Sequence, residues 1–196
     1  LSFFSVVALD YYANTLSAAL LLFTILFYVF IYTIWLKRKT PQNIVIGGAA
    51  GALPPVIGWT IATNSLSLEA LTFFLIIFFW TPSHFWALSL YKSDDYKKAK
   101  IPMLPLTNGI EATKINILVY SLLMLPMVVL PYAIDFVGLI FLIPALALTL
   151  YYNLLCFQLY KFKENKFNPK KAKTIFGYSI LYLFLIFVIF LIDKIL

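Results

Sequence analysis

Charge is scarce in this chain. Only 12% of its 196 residues are Asp, Glu, Lys or Arg, against roughly 25% in soluble globular domains, which excludes that class. There is a single cysteine, so a disulfide-stapled secreted domain is excluded as well. No run of alternating polar and apolar residues about 10 long appears, as an outer-membrane barrel would require. The net charge of +7 is dispersed between long apolar blocks and not gathered into a patch, so a soluble nucleic-acid binder is excluded too. Disorder is incompatible with 19 Phe, 13 Tyr and 4 Trp. What the chain has in abundance is apolar length: 63% of it is hydrophobic. Crossing a bilayer takes about 20 consecutive apolar residues, and a spanning segment must satisfy its backbone internally, so the predicted class is all-α, a polytopic transmembrane helical bundle.

Six complete spans are predicted, at about Ser17–Leu36, Asn43–Thr63, Leu68–Leu90, Ile115–Tyr132, Phe136–Leu155 and Thr174–Ile192, preceded by a partial span from Leu1 to about Leu9. The chain opens on Leu, and its first apolar run is too short to span and lacks the pattern of a signal peptide. The expectation is that residues are missing before Leu1. Fourteen of the 15 cationic residues fall in three alternate loops: Lys37–Lys39, Lys92 to Lys114, and Lys161 to Lys173. The intervening loops carry Asp10, Glu69 and Asp135 and no cation. The positive-inside rule then puts the basic loops in the cytoplasm, or in the matrix of an organelle, and the C-terminus opposite. Basic loops indicate orientation and nothing more, and the Lys161–Lys173 loop is read as purely topological. No repeat or linker stands out, so residues 1–196 are read as one domain. Cys156, near a helix end, reads as a small buried hydrophobe.

One loop carries more than orientation. The stretch WTPSHFWALSLYKSDDYKKAKIPMLP, Trp80 to Pro105, sets the only histidine near two aspartates and several lysines. His84 follows Pro82 inside a hydrophobic span, where an ionisable group usually faces a cavity; a satisfied interior hydrogen bond is the alternative. On a continuous helix His84, Tyr91 and Asp95 would share one face, with His84 and Asp95 roughly 16 Å apart along the axis. Lys92 and Asp95 are spaced for a surface ion pair. Two acids beside lysines at a membrane surface suit a diphosphate bound through Mg²⁺, which takes one or two carboxylates plus substrate phosphates. Lys37 and Arg38, at the end of the Ser17–Leu36 span, would supply cations from a neighbouring helix, and Arg38, the lone arginine, has the planar fork suited to phosphate.

The second notable stretch is TPQNIVIGGAAGALPPVIGW, Thr40 to Trp59. Gly47, Gly48, Gly51 and Gly58, with the alanines between them, make a small-residue face for close helix packing. Pro54-Pro55 breaks or kinks the helix in mid-membrane, as happens where backbone borders a cavity.

Tyr32–Trp59 and Phe78–Pro105 resemble the protoheme IX farnesyltransferase (heme O synthase) family, a branch of the UbiA-type intramembrane prenyltransferases. The resemblance implies a nine-helix bundle around a cavity, of which about seven helices are present here, the first partial. It implies transfer of a farnesyl group from farnesyl diphosphate to a vinyl group of heme b, with hydration, giving heme O for terminal oxidases. Two facing aspartate-rich motifs would hold Mg²⁺ and the diphosphate. The second corresponds to Asp94, Asp95 and Tyr96, with Asp95 the better match. The acid four residues further on is absent, since Lys98 and Ala99 stand there, so this half-site is reduced. The first motif would precede residue 1, and residues 1–196 alone are then expected to be inactive. Lys37, Arg38 and Lys92 are the candidates for the diphosphate, and His84, Trp86 and Tyr91 for the heme, with His84 toward the iron or in a hydrogen bond. Trp80, Phe85, Trp86, Tyr91 and Tyr96 are candidates to face the allylic cation. The implied setting is a bacterial inner membrane, with heme b, farnesyl diphosphate and the bilayer as partners, heme A synthase or oxidase assembly factors as further ones, and no nucleic acid.

Three other readings stay open. One keeps the chemistry and changes the acceptor to a quinone precursor or chlorophyll-type aromatic. Another is a non-enzymatic transporter or assembly subunit built on the proline-broken helix and His84, for which Mg²⁺ and an allylic diphosphate would be irrelevant. The third is a structural membrane subunit whose lysines merely touch anionic lipids.

Overall fold

The computed structural model describes residues 1–161 and 169–196. Residues 162–168, within the predicted basic loop between Lys161 and Lys173, lie outside the described residues. All regular structure among the described residues is helical: α1 (Ser2–Tyr12), α2 (Thr15–Leu36), α3 (Asn43–Ala52), α4 (Pro54–Thr63), α5 (Leu68–Tyr91), α6 (Ser93–Lys98), α7 (Leu104–Thr107), α8 (Gly109–Ala133), α9 (Leu139–Tyr160) and α10 (Pro169–Ile195). Among the described residues, six segments are long and apolar enough to cross a membrane: α2, the α3–α4 pair, α5, α8, α9 and α10. They match the six predicted spans, and α1, with 11 residues, is short of a span as expected. The protein is a polytopic all-α membrane protein.

The ends shift for local reasons. α8 begins six residues before the predicted Ile115, because Lys114 is not a loop cation. Its side chain is fully buried, and its Nζ donates to Glu111 Oε1 at 2.6 Å on the same helix. α9 begins at Leu139 because Asp193, near the end of α10, caps it. Its carboxylate accepts from Gly138 N at 2.9 Å and from Phe141 N at 3.0 Å. These are orphan donors at the helix start. The proline pair acts as predicted: Leu53 N reaches back to Ala50 O at 3.4 Å, and α4 restarts at Pro54.

α5 is the central strut and packs against α8, α10 and α3. The core runs between α5, α8, α9 and α10 through Trp86, Tyr152, Phe141 and Tyr182, all fully buried. Polar groups in that interior are joined across helices. Tyr152 donates to Ser83 Oγ at 3.0 Å, and Tyr182 and Thr149 share a 3.0 Å bond. Cys156 is buried and free, as predicted. The small-residue face works only in part. A Cβ on Gly48 would stand 3.0 Å from Thr81 Cγ2 of α5, and one on Gly47 would stand 2.4 Å from Tyr32 Cδ2 of α2, whereas Gly51 and Gly58 face open space. On the periphery, α2 is tied to α4 by Asn14 Nδ2 donating to Thr60 O and by a Ser17–Thr60 hydroxyl pair, both at 2.8 Å. The last ten residues of α2, Phe27–Leu36, wind as a wider π-helix that ends with Lys37 N bonded to Tyr32 O at 2.8 Å.

Candidate functional site

The acidic corner forms where α5 stops. Lys92 leaves the helical region at φ −114° and ψ 30°, and its carbonyl accepts from Asp95 N and Tyr96 N to start α6. α6 places Asp94 and Asp95 in its first turn and Lys97 and Lys98 in its last, the charge order a helix dipole favours. This interruption corrects the expectation of one continuous face carrying His84, Tyr91 and Asp95: the acids belong to a separate short helix. Asp94 and Asp95 are exposed, and Asp95 Oδ2 pairs with Lys92 Nζ at 3.3 Å, as its spacing predicts. Among the described residues no cluster of three or more His, Cys, Asp or Glu could hold a metal. The two adjacent carboxylates therefore fit Mg²⁺ only in the manner of a site completed by substrate phosphates.

A cavity of about 560 Å³ lies between α2, α3 and α5, bordered by Tyr28, Tyr32, Gly47, Gly48, Trp80 and Phe85 among others. The Gly47 backbone leaves room for the Tyr32 ring, which stacks at a tilt on Tyr28, with centroids 5.3 Å apart. Lys37 Nζ lies 5.9 Å from the same ring. Burial holds the Tyr96 phenol above its ordinary range, so it stays a neutral donor at physiological pH. Arg38 is exposed, and among the described residues neither it nor Lys37 pairs with Asp94 or Asp95.

On the other side of Trp80 is a groove of about 530 Å³ along α10, bordered by Trp80, His84, Ile180, Phe184 and Phe187. It shares Phe187 and Leu191 with a third cavity, of about 600 Å³, that continues past Trp59 and Phe73 to Lys194. His84 is 7% exposed. Its ring stacks on Trp80 at 4.2 Å and lies 4.7 Å from Phe176, with the edge of Phe85 at 5.0 Å. His84 Nδ1 meets Ser179 Oγ at 2.6 Å. His84 is thus hydrogen-bonded and also borders a cavity.

The other heme candidates separate. Trp86 is fully buried against Tyr120 in the core, ring centroids 5.3 Å apart. Two residues on from His84, it points to a different face of α5, so the expectation that both meet one ligand is corrected. Tyr91 lies at the basic end of α5, with Lys92 Nζ and Lys173 Nζ each 5.5 Å from its ring. Sequence reasoning missed Ser179, Tyr32 and Lys114. The first two act through contacts between distant segments, and only Lys114 carried a signal, its i, i+3 spacing to Glu111.

The fold is an all-α bundle of membrane-spanning helices with cavities between them and two aspartates on the short helix that follows α5. The UbiA prenyltransferase family matches residues 1–180, and the chain belongs to that family. Over all 196 residues it is 92% identical to the protoheme IX farnesyltransferase of Pelagibacter ubique (strain HTCC1062), covering 65% of that protein. It is 50% identical over its whole length to the protein of that name from Parvibaculum lavamentivorans, and 49% identical over 195 residues to one from Rhodopseudomonas palustris (strain BisB18), covering 62% of each. The chain thus spans a little under two thirds of the length of these relatives. No solved structure matches it.

Proposed function

We propose that the chain forms the greater part of an enzyme that transfers a farnesyl group from farnesyl diphosphate to a vinyl group of heme b, yielding heme O. The observation that carries this reading is the pair of cavities meeting at Trp80, one bordered by Tyr28 and Tyr32, the other by His84. Two substrates of different chemistry need two such chambers with a common wall. The identity to proteins named protoheme IX farnesyltransferase supports the choice of acceptor.

In this reading Asp95 and Asp94 hold Mg²⁺ against the diphosphate, and Lys37, Arg38 and Lys92 offset its remaining charge. Bound there, Mg²⁺ would stabilise the departing diphosphate. The C1–O bond breaks with its electron pair leaving on the diphosphate. The terminal vinyl carbon bonds to C1, and the cation left on the inner vinyl carbon takes a water oxygen and releases a proton. Tyr28, Tyr32 and Trp80 border the first cavity and would stabilise the allylic cation there, while the apolar walls exclude water from it. His84 holds the porphyrin. The basic rim faces the cytoplasm, and the bacterial inner membrane is the setting.

The test is binding by the purified chain in lipid nanodiscs. Heme b is expected to give a Soret shift that His84→Ala removes, and farnesyl diphosphate a Mg²⁺-dependent affinity that Asp95→Asn removes. A soluble quinone-precursor acid should not compete with the heme. Competition by that acid, without a heme signal, would move the acceptor to the quinone class. Indifference to Mg²⁺ and to both ligands would leave the transporter reading standing.

A further inference from the structure

Ser179 of α10 holds two of the residues that border the groove, one with its side chain and one with its backbone. Its hydroxyl meets His84 Nδ1 at 2.6 Å, and its carbonyl accepts from Trp80 Nε1 at 2.9 Å. Ser179 is itself fully buried. The hydroxyl has a single proton, and that proton is committed: Ser179 Oγ donates to Phe176 O, one turn back on its own helix, at 2.6 Å. The oxygen therefore meets His84 as an acceptor, and the proton between them belongs to Nδ1. The imidazole is the Nδ1–H tautomer, and its Nε2 carries a lone pair.

Among the described residues nothing bonds to that lone pair. Nε2 has no hydrogen-bond partner among the described residues, and the groove that His84 borders is otherwise walled by apolar and aromatic side chains. The ring cannot turn to find another partner, because Trp80 and Phe176 cover its faces. An unpaired imidazole nitrogen in an apolar, membrane-embedded chamber is costly to keep. It matches a flat apolar ligand that brings its own Lewis acid.

We propose that Ser179 is the positioning residue of a porphyrin subsite in the α5–α10 groove, fixing His84 as the Nδ1–H tautomer so that Nε2 is presented to the iron, while its carbonyl keeps Trp80 flat against the imidazole. This rests on the heme reading above and adds to it the residue that sets the ligand's tautomer and orientation. Metal-bound histidines characteristically donate their other N–H to such a partner, whose loss costs about 10- to 100-fold in affinity. A serine that only filled space would show no such effect, since alanine leaves the volume nearly unchanged.

Two measurements test the proposal, and the chain's single histidine makes the first clean. With ¹⁵N-labelled histidine in lipid nanodiscs and no heme, the wild type should show a protonated Nδ1 and a bare Nε2. Ser179→Ala should redistribute the proton, and Ser179→Thr should restore the wild-type pattern. In the second measurement, heme b affinity read from the Soret band should fall about 10- to 100-fold in Ser179→Ala and stay near wild type in Ser179→Thr. Affinity for metal-free protoporphyrin IX should be equal in all three. Unchanged helicity and a monodisperse profile for Ser179→Ala would show that it folds. A protonated Nε2 in the wild type overturns the proposal, as does a His84-dependent heme spectrum that Ser179→Ala leaves untouched. A wild-type chain with the expected tautomer that binds heme no better than the metal-free porphyrin overturns the heme reading itself, and the subsite with it.

Discussion

The interior of the α5, α8, α9 and α10 bundle and the corner at α6 both use polar side chains, and they use them for opposite ends. Inside, Tyr152 with Ser83, Tyr182 with Thr149 and His84 with Ser179 join helices that are separate in sequence, away from solvent. At the corner, Asp94 and Asp95 are exposed, and the one ion pair there is three residues long, between side chains that are 49% and 64% exposed. The interior contacts carry stability, because breaking one strands a polar group where no water can replace its partner. The corner carries almost none, which leaves its carboxylates available for a ligand. Substitutions in the two regions should therefore rank in opposite orders when stability and ligand affinity are measured.

The largest loss of stability is expected from Glu111→Gln. Lys114 is fully buried and Glu111 is 45% exposed, so the substitution removes the carboxylate from a desolvated ammonium. Breaking a buried pair from one side costs about 3–5 kcal/mol. The lower end is expected here, because Glu111 is partly solvated and Lys114 makes a further contact. Lys114→Met, which removes the buried charge itself, should cost less. A thermal melt in lipid–detergent micelles ranks the two, and equal losses would mean that the charge is not what the pair controls.

Gly47→Ala comes next, at about 1–3 kcal/mol for overpacking. Its new Cβ would fall 2.4 Å from Tyr32 Cδ2, so the ring must leave the cavity wall. The same melt should show recovery when Tyr32→Ala is added, since the double variant removes the obstruction. Without recovery, the clash is not the cause. Gly51→Ala meets nothing within 4 Å and serves as the neutral control.

Asp193→Ala should cost about 1 kcal/mol, as loss of a helix cap does, measured by the same melt and by faster amide exchange at Gly138 and Phe141. This contact also marks where sequence reading ends. The spans were legible because apolar length at the scale of a bilayer is a one-dimensional property. The Pro54-Pro55 break was legible because a missing N–H is a property of the residue itself. Lys92 with Asp95 was legible from i, i+3 spacing. Asp193 on Gly138 and Ser179 on His84 join residues 55 and 95 positions apart, and no periodicity encodes which helices become neighbours. The face shared by His84 and Asp95 misled for a related reason. Helical arithmetic assumes an unbroken helix, and a Ser-Asp-Asp start that satisfies its own dipole competes with continuation past Tyr91. Trp86 misled because an aromatic near a candidate ligand in sequence points, two residues on, to another side of the helix.

The smallest effect on stability, and the sharpest contrast, belongs to the corner. Lys92→Ala removes an exposed i, i+3 pair worth a few tenths of a kcal/mol, and Asp95→Asn removes the same pair from the other side, so both should melt within about 0.5 kcal/mol of wild type. Their ligand behaviour should nevertheless diverge. On the proposed function, Lys92→Ala takes away one cation offered to the diphosphate but also releases Asp95 from its ion pair, so affinity for farnesyl diphosphate should fall modestly and remain Mg²⁺-dependent. Asp95→Asn takes away the carboxylate that an oxygen-seeking divalent ion requires, so titration with farnesyl diphosphate should lose its response to Mg²⁺ altogether. If the two variants lost affinity equally, with Mg²⁺ dependence intact in both, the corner would be acting through net charge alone and the metal would have to be held by other groups.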